Sequence, residues 1–321
     1  MRAKRCPFFH CTNVKKNGIR RGLQRYVCED CGASWQSKPR PDRRLKKLWH
    51  QYAFDGRTVR DLARSHKVGE TRIRSCLAAY VPPAIVHKPR VVAVVMDVTY
   101  FDGWGMLVVI DPTANTALGE NTVLYYAVLE GTERTRDYEV ATDTLESLGY
   151  CIIMATIDGR RGVKTMLEDH AIPVQYCQFH QLMAMTRCLT RRPRLAQNVA
   201  LRHIALTLTR TDITTFAAAL ADWYEQYGSW LKERDDITGR YAHERTRRAY
   251  FSLVRNLDNL FTYQHDYMQA YQRDTGKNPA NTTNALEGRF GVWKDRLTAH
   301  RGTSKQRTIT ILRSFFSERT D

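Results

Sequence analysis

"RVVAVVMDVTYF", from Arg90 to Phe101, is the stretch that constrains the fold most strongly. Apolar and β-branched residues follow one another almost without interruption, and an acid, Asp97, falls near the end of the run. A short continuous apolar run of this kind indicates a strand that is buried on both faces. Two further runs, "WGMLVVIDPT" and "NTVLYYAVLEG", come next along the chain. Together they predict three neighbouring strands with an antiparallel arrangement.

The segments that follow alternate between helical and strand patterns. "DYEVATDTLESLGY" predicts a helix, "CIIMATIDGRRGV" a buried strand ending at Asp158, "GVKTMLEDHA" a helix, and "IPVQYCQFHQLMAM" a short strand running into a helix. This order predicts an α/β fold of the ribonuclease-H-like class, with the first part of the core at 90–185. Strand patterns then disappear, which predicts an all-α insertion at 186–280 before the core resumes at 281–321.

The overall charge predicts a polyanionic partner. The 321 residues include 50 lysines and arginines against 33 acids, a net charge of +17. Neutralising phosphates with such a surface releases bound counterions, which favours nucleic-acid binding. We expect no membrane association, because the chain lacks an apolar run of about 18 residues and "MRAKRCPFFHC" lacks the apolar core of a secretory signal. A cytosolic setting follows, where cysteines serve more often as metal ligands or core residues than in disulfides.

Four cysteines near the amino terminus predict a zinc ribbon at 1–36. Cys6 and Cys11 form one pair, and Cys28 and Cys31 form a second pair with the two-residue spacer of a zinc knuckle. "KNG" and "RRG" between the pairs are turn signals that flank short extended segments. His10 could replace Cys11 as a ligand, and a redox-active pair is the alternative to zinc.

The residues at 42–81 predict a helix-turn-helix domain after the basic linker "SKPRPDRRLKK". Thr58 is the expected N-cap of the first helix of the pair, and Gly69 marks the turn. Ile73 and Leu77 then face the core of the second helix, while Arg72 and Arg74 face outward. Outward arginines on a second helix predict contacts with DNA, whereas an ordinary helical hairpin is the alternative.

Three acids predict a catalytic metal site. Asp97 and Asp158 end two apolar runs that we expect to be neighbouring strands, where their charges would repel unless a cation lay between them. Carboxylate oxygens suit Mg²⁺ or Mn²⁺. Glu287 lies among basic residues in "NALEGRFGVWKDRLTAHRG", Asn284 to Gly302, which we predict to be one helix that supplies a third ligand. The competing acids are Asp102 and Asp111 for the first position, and Asp295 and Glu318 for the third.

Four motifs, in their order along the chain, resemble those of the DDE transposases of bacterial insertion sequences in the Mutator-like group. They are "MDVTYF", "TIDGRRG", "CQFH" and "NTTNALEGRF" with "WKDRLTAHRG", and the chain is most similar to the variant with an amino-terminal zinc-binding module. The resemblance implies that Asp97, Asp158 and Glu287 are the catalytic acids, and that an α-helical insertion lies between the last two, which are 129 positions apart. It also implies that DNA is contacted by His180, Trp293, Lys294, Arg296, His300 and Arg301. Core packing is the expected role of Cys177.

The function implied is that of a transposase that binds the terminal inverted repeats of its element and then acts on target DNA. Metal-dependent cleavage and joining of the freed 3′-hydroxyl are both in-line phosphoryl transfers, which one pair of metal ions can serve. We expect Zn²⁺ in the amino-terminal module, a homodimer when the protein is assembled on DNA, and a location at the bacterial nucleoid. The alternatives are a DNA-binding regulator on a transposase-derived core and a structure-selective nuclease.

Overall fold

The computed structural model describes residues 5–6, 11–36, 43–115, 117 and 122–316. Its amino-terminal unit, Met1–Val81, contains a small sheet and three helices. Strands β1 (Val14–Arg20), β2 (Leu23–Cys28) and β3 (Ser34–Gln36) pair antiparallel in that order. "RRG" is the predicted turn, since Arg21 and Gly22 both have positive φ. "KNG" is not a turn. The register shifts between Lys16 and Ile19, so this segment forms a bulge that lets β1 continue along β2.

The three helices of this unit are α1 (Arg43–Ala53), α2 (Val59–His66) and α3 (Glu70–Ala78). Thr58 caps α2 as predicted, and Asp61 completes a capping box by bonding back to the Thr58 backbone. Ile73 and Leu77 of α3 are buried, which confirms their predicted inward positions. The helices therefore have the apolar faces that the sequence predicts.

The second unit, Pro82–Asp321, is built on a five-stranded sheet. Its strands are β4 (Val91–Phe101), β5 (Trp104–Ile110), β6 (Val123–Glu130), β7 (Cys151–Ile157) and β8 (Val174–Tyr176), in the order β6-β5-β4-β7-β8. The first three strands are antiparallel as predicted, whereas β7 and β8 run parallel to β4. Every residue of β5 is buried, in keeping with its uninterrupted apolar run.

Three helices alternate with the parallel strands. They are α4 (Thr135–Ser147), α5 (Arg161–Asp169) and α6 (Gln178–Leu189), and they match the predicted helical segments. Tyr138 and Leu145 of α4 belong to the same buried core as Val94 and Leu107 of the sheet. The protein is thus a mixed α/β chain whose largest core lies between this sheet and its helices.

A helical region follows and joins the sheet through buried amides. Its helices are α7 (Ala196–Thr207), α8 (Ile213–Tyr227), α9 (Glu244–Leu260) and α10 (Asp266–Thr275), and no strand occurs between 190 and 280. The side-chain amides of Gln175 and Gln178 both donate to the Leu260 carbonyl, at 2.9 and 2.8 Å. Across the part of the chain that the structure describes, no helix combines the length and apolar character needed to cross a bilayer.

The carboxyl-terminal segment contains two helices, α11 (Asn284–Thr298) and α12 (Lys305–Phe316), so the prediction of one helix from Asn284 to Gly302 is wrong at its end. Gly302 has a φ of +76°, a conformation that glycine adopts without strain and that reverses the chain towards α12. His300 and Arg301 consequently lie in the turn between the helices.

Candidate active site

Two aspartates lie at matched positions of neighbouring parallel strands, Asp97 within β4 and Asp158 directly after the last residue of β7. Val95 pairs with Thr156, and two residues further along each chain come Asp97 and Asp158. Residues two apart on a strand face the same side, so Asp97 projects from the same face of the sheet as Val95, and Asp158 follows at the adjacent end of β7. Asp97 lies within its strand rather than at its end, contrary to the prediction. The reason is that β4 keeps pairing with β5 beyond Asp97 as far as Phe101.

The electrostatics of Asp97 link it to the other two predicted acids. The pKa of its carboxyl group is raised to about 7, mainly by burial and in part by the negative charges of Asp158 and Glu287. Two groups oppose this shift, namely the Val98 amide, which donates to Asp97 Oδ1 at 2.8 Å, and the imidazole of His180. The three acids and His180 therefore share one electrostatic environment, although they come from β4, the end of β7, α6 and α11.

Glu287 is held by a buried threonine one helical turn earlier. The Thr283 hydroxyl donates to Glu287 Oε1 at 2.6 Å, and the Glu287 amide donates to the Thr283 carbonyl at 3.0 Å. Thr283 is fully buried and Glu287 is partly exposed. A short hydrogen bond from a buried hydroxyl fixes the orientation of the carboxylate. Thr283, for which the sequence predicts no role, is therefore part of the site.

The segment before α11 is fastened to β7 and α6. The Thr156 hydroxyl donates to the Ala280 carbonyl at 2.6 Å. Asn281 and Gln178 form two hydrogen bonds with each other. The Gln178 backbone N–H donates to the Asn281 backbone carbonyl at 3.0 Å, and the Asn281 side-chain amide donates to Gln178 Oε1 at 2.9 Å. These bonds hold the start of α11 against β7, the strand that Asp158 directly follows.

The "CQFH" motif completes the contacts of Thr283. Cys177 is buried at the start of α6, and its sulfur accepts from the Thr283 amide at 3.2 Å and from the His180 amide at 3.5 Å. His180 Nδ1 lies 3.4 Å from the Thr283 hydroxyl oxygen and 3.8 Å from Glu287 Oε1. Contact with the Cys177 thiol raises the pKa of His180 to about 9, and Glu287 and Asp97 add to the shift. His180 is thus a cation beside the carboxylates at neutral pH.

The ligand atoms of Cys177, His180 and Glu287 lie within 4.8 Å of one another, as a metal site requires. Within the described residues, Asp97, Asp158 and Glu287 do not form such a group. Like charges separate when no cation lies between them, and in a two-metal site the ligands surround two ions about 4 Å apart rather than one point. Their oxygens remain the donor type that Mg²⁺ and Mn²⁺ prefer.

The competing acids have other positions. Asp111 is fully buried and forms an ion pair with Arg90 at 2.9 Å, so its carboxylate supports the structure. Asp102 is exposed in the tight turn between β4 and β5, and Asp295 is exposed on α11. Glu318 lies outside the described residues.

The residues predicted to grip DNA after Glu287 differ in their exposure. Lys294 and Arg301 are exposed, and Arg296 is half-buried with its guanidinium over an aromatic ring of α12. Trp293 and His300 are buried. Trp293 packs against the Phe316 ring of α12, so its ring is part of the core rather than of the exposed surface that the predicted contact with DNA requires.

The predicted zinc ligands cluster in the amino-terminal unit. The sulfurs of Cys6 and Cys31 are 3.7 Å apart, and both lie within 4.8 Å of the Cys28 sulfur. Cys11 approaches the same Cys28 sulfur within a second group of ligand atoms. Cys6, Cys28 and Cys31 could therefore hold a metal ion, with Cys11 adjacent. His10, the predicted substitute for Cys11, lies outside the described residues.

Both arginines predicted to read DNA are exposed on α3. Arg74 forms an ion pair with Glu70 one turn earlier, at 3.1 Å. Arg72 projects from the same helix, on the side away from the buried Ile73 and Leu77.

Comparison with known proteins does not assign a family or a function to this chain. No family model matches the chain, and no curated protein matches it.

Proposed function

We propose that this chain is a DDE-type DNA transposase, which binds the terminal inverted repeats of an insertion sequence and carries out metal-dependent cleavage and strand transfer. The observation that carries the proposal is the shared electrostatic environment of Asp97, Asp158 and Glu287, three acids from distant parts of the chain. Structural carboxylates are normally paired with cations, as Asp111 is with Arg90. Clustered carboxylates are instead typical of sites that bind divalent metals.

The strand order supports the same proposal. Three antiparallel strands followed by two parallel strands, in the order β6-β5-β4-β7-β8, are what we expect of a ribonuclease-H-like core. In our proposal the helices α7 to α10 form an insertion into this core between the second and third catalytic acids. The bonds from Gln178 to Asn281 and from Thr156 to Ala280 then bring the third acid back to the sheet.

The donor set fits a divalent metal. Asp97, Asp158 and Glu287 offer hard oxygen ligands, and the raised pKa of Asp97 reflects a negative potential that a cation would offset. Bound there, Mg²⁺ or Mn²⁺ would lower the barrier to phosphoryl transfer by stabilising charge on the attacking and leaving oxygens. Thr283 fixes the rotamer of Glu287 by donating to Oε1. His180, cationic at neutral pH, can donate a hydrogen bond to a phosphate oxygen beside the acids.

The amino-terminal unit would supply recognition of the element's ends. We propose that Cys6, Cys11, Cys28 and Cys31 bind one Zn²⁺, and that exposed Arg72 and Arg74 contact DNA. The net charge of +17 suits a long polyanion. Assembly as a homodimer on DNA, at the nucleoid of a bacterial cell, belongs to the same proposal.

Glu287→Gln tests the proposed chemistry, because it removes one charge and keeps the size and most hydrogen bonds of the side chain. We expect cleavage of a duplex taken from the DNA flanking the gene to fall on the order of 10³-fold, in Mg²⁺ and in Mn²⁺. Affinity for the same duplex should stay unchanged. Asp295→Asn is the matched control, since Asp295 is an exposed acid on the same helix. Equal cleavage by Glu287→Gln and wild type would refute the assignment of the third acid.

The same assay separates the alternatives. A DNA-binding regulator would bind the flanking duplex and leave it intact with either metal. A structure-selective nuclease would cut branched DNA of any sequence in preference to the flanking duplex.

A further inference from the structure

A basic cleft, separate from the candidate active site, lies in the helical region on the surface of α9. A cleft of about 450 Å³ is lined by Tyr241, Glu244, Arg247, Arg248, Phe251 and Arg255. Three of the six residues are arginines and one is an acid. The cleft belongs to none of the motifs on which the proposed function rests.

Aromatic rings hold one of these arginines in place. The guanidinium carbon of Arg247 lies 4.0 Å from the centre of the Tyr241 ring and 4.7 Å from the centre of the Phe251 ring. Arg234 lies over the same Tyr241 ring, at 4.3 Å. Stacking uses the flat face of a guanidinium and leaves its N–H edges available for an anion. The rings thus orient Arg247 without neutralising it.

The cleft arginines are not neutralised by acids either. Among residues 122–316, no carboxylate lies within ion-pair distance of Arg247, Arg248 or Arg255. Glu244 has the spacing for an ion pair with Arg247 or Arg248 on the same helix, yet it forms none. Arg245 points elsewhere, since its guanidinium donates to the Arg187 carbonyl. The cleft therefore has a net positive charge of two from its own lining.

We propose that this cleft binds phosphate groups of the duplex DNA backbone, as a contact separate from the acids and from the amino-terminal unit. Arginine presents paired N–H groups that match the oxygens of a phosphate, and exposed Arg248 and Arg255 flank the fixed Arg247. Phosphate contacts position a protein on DNA and are independent of sequence. The choice of duplex DNA as the polyanion rests on the proposed function, whereas the phosphate chemistry rests on the cleft.

The test is the salt dependence of random-sequence duplex binding by the full chain, without Mg²⁺ or Mn²⁺ so that no cleavage occurs. Each lost phosphate contact lowers the slope of log affinity against log salt by about 0.9, so Arg247→Ala/Arg248→Ala should lower it by about 2 and weaken binding about 60-fold at roughly 0.1 M salt. The matched control is Arg210→Ala/Arg273→Ala, which removes two exposed arginines from elsewhere in the same region, one in the turn after α7 and one on α10. The control pair should bind like wild type.

A second variant guards against loss of packing, because Arg247 contacts two rings. Arg248→Ala/Arg255→Ala leaves the stacked arginine untouched, and we expect the same loss of slope. Equal slopes and affinities for this variant, the first variant and the control pair would overturn the proposal. Titration with inorganic tripolyphosphate identifies the source of the phosphate. If both cleft variants lose binding of tripolyphosphate but bind DNA as the wild type does, the proposal is also overturned, and the cleft is a small-anion site.

The result is independent of the catalytic assignment. A chain that never cleaves DNA can still lose affinity through the cleft variants, which would contradict the proposed chemistry alone. A chain that cleaves DNA with unchanged slopes would contradict the cleft alone.

Discussion

Asp97→Asn should stabilise the metal-free protein, although it removes a proposed catalytic acid. The carboxyl group of Asp97 is largely buried beside two other acids, and its pKa rises from 3.8 to about 7. An asparagine has the same shape, and its side-chain oxygen can still accept from the Val98 amide. The substitution therefore removes an unfavourable charge and preserves the packing.

The magnitude follows from the pKa shift. A difference of about 3 pKa units at about 1.4 kcal/mol each gives a penalty of about 4 kcal/mol for the ionised form. Between the unfolded pKa of 3.8 and the folded pKa of about 7, the folded chain binds more protons than the unfolded chain. The free energy of unfolding of the wild type therefore falls as pH rises through this window. At about pH 8 the full penalty applies, which corresponds to about 10 °C in the melting temperature of a unit this large.

The assay is thermal unfolding of wild type, Asp97→Asn and Asp295→Asn from about pH 4 to about pH 8, without added Mg²⁺ or Mn²⁺. We expect the three melting temperatures to agree at the acidic end, and only Asp97→Asn to lie well above the others at the alkaline end. Added Mg²⁺ should then raise the melting temperature of the wild type and leave that of Asp97→Asn unchanged, because the metal binds the three native acids. A melting temperature for Asp97→Asn equal to or below that of the wild type at about pH 8 would refute the reasoning.

Three further predictions concern the other parts of the chain. Cys28→Ser should lose the bound zinc, measured as metal content of the purified full chain, and full zinc occupancy in this variant would contradict the ligand assignment. Thr283→Val should slow cleavage about 10²-fold with DNA affinity unchanged, whereas Thr283→Ser keeps the hydroxyl and should restore the rate; equal rates for both would leave Glu287 without this support. Arg72→Ala should weaken binding to the element's end by about 1–3 kcal/mol if the arginine contacts a base. Competition with random duplex measures this discrimination, and an unchanged preference for the end would count against α3 as the reading helix.

The periodic parts of the fold could be predicted from the sequence, because local residues determine them. The apolar runs from Val91 to Ile157 give the strands, and Thr58 with Asp61 gives a helix start. Boundaries inside an apolar run could not be predicted, which is why Asp97 was expected at a strand end. The end of α11 was missed because residues on either side of Ala299 differ little in helix propensity.

Cys177 is buried as expected, but its contact with Thr283 could not be predicted, for a different reason. The two residues are 106 positions apart, and spacing along the chain does not reveal which side chains meet after such a distance. A threonine one turn before an acid is common in helices, where it normally bonds to the preceding backbone. Only the folded arrangement, in which the Thr283 hydroxyl lies between Glu287 and His180, gives this threonine a distinct role.

The reciprocal bonds between Gln178 and Asn281 have a consequence for how this chain can change over generations. They close a loop at its base, so the chain leaves the sheet and returns to it at nearly the same point. Lengthening a loop whose ends are already fixed adds little entropic cost. Residues could thus be added to or removed from the connections between the helices α7 to α10 while Glu287 keeps its place, whereas Phe216 and Leu220 of α8 belong to the buried core and constrain the helices themselves.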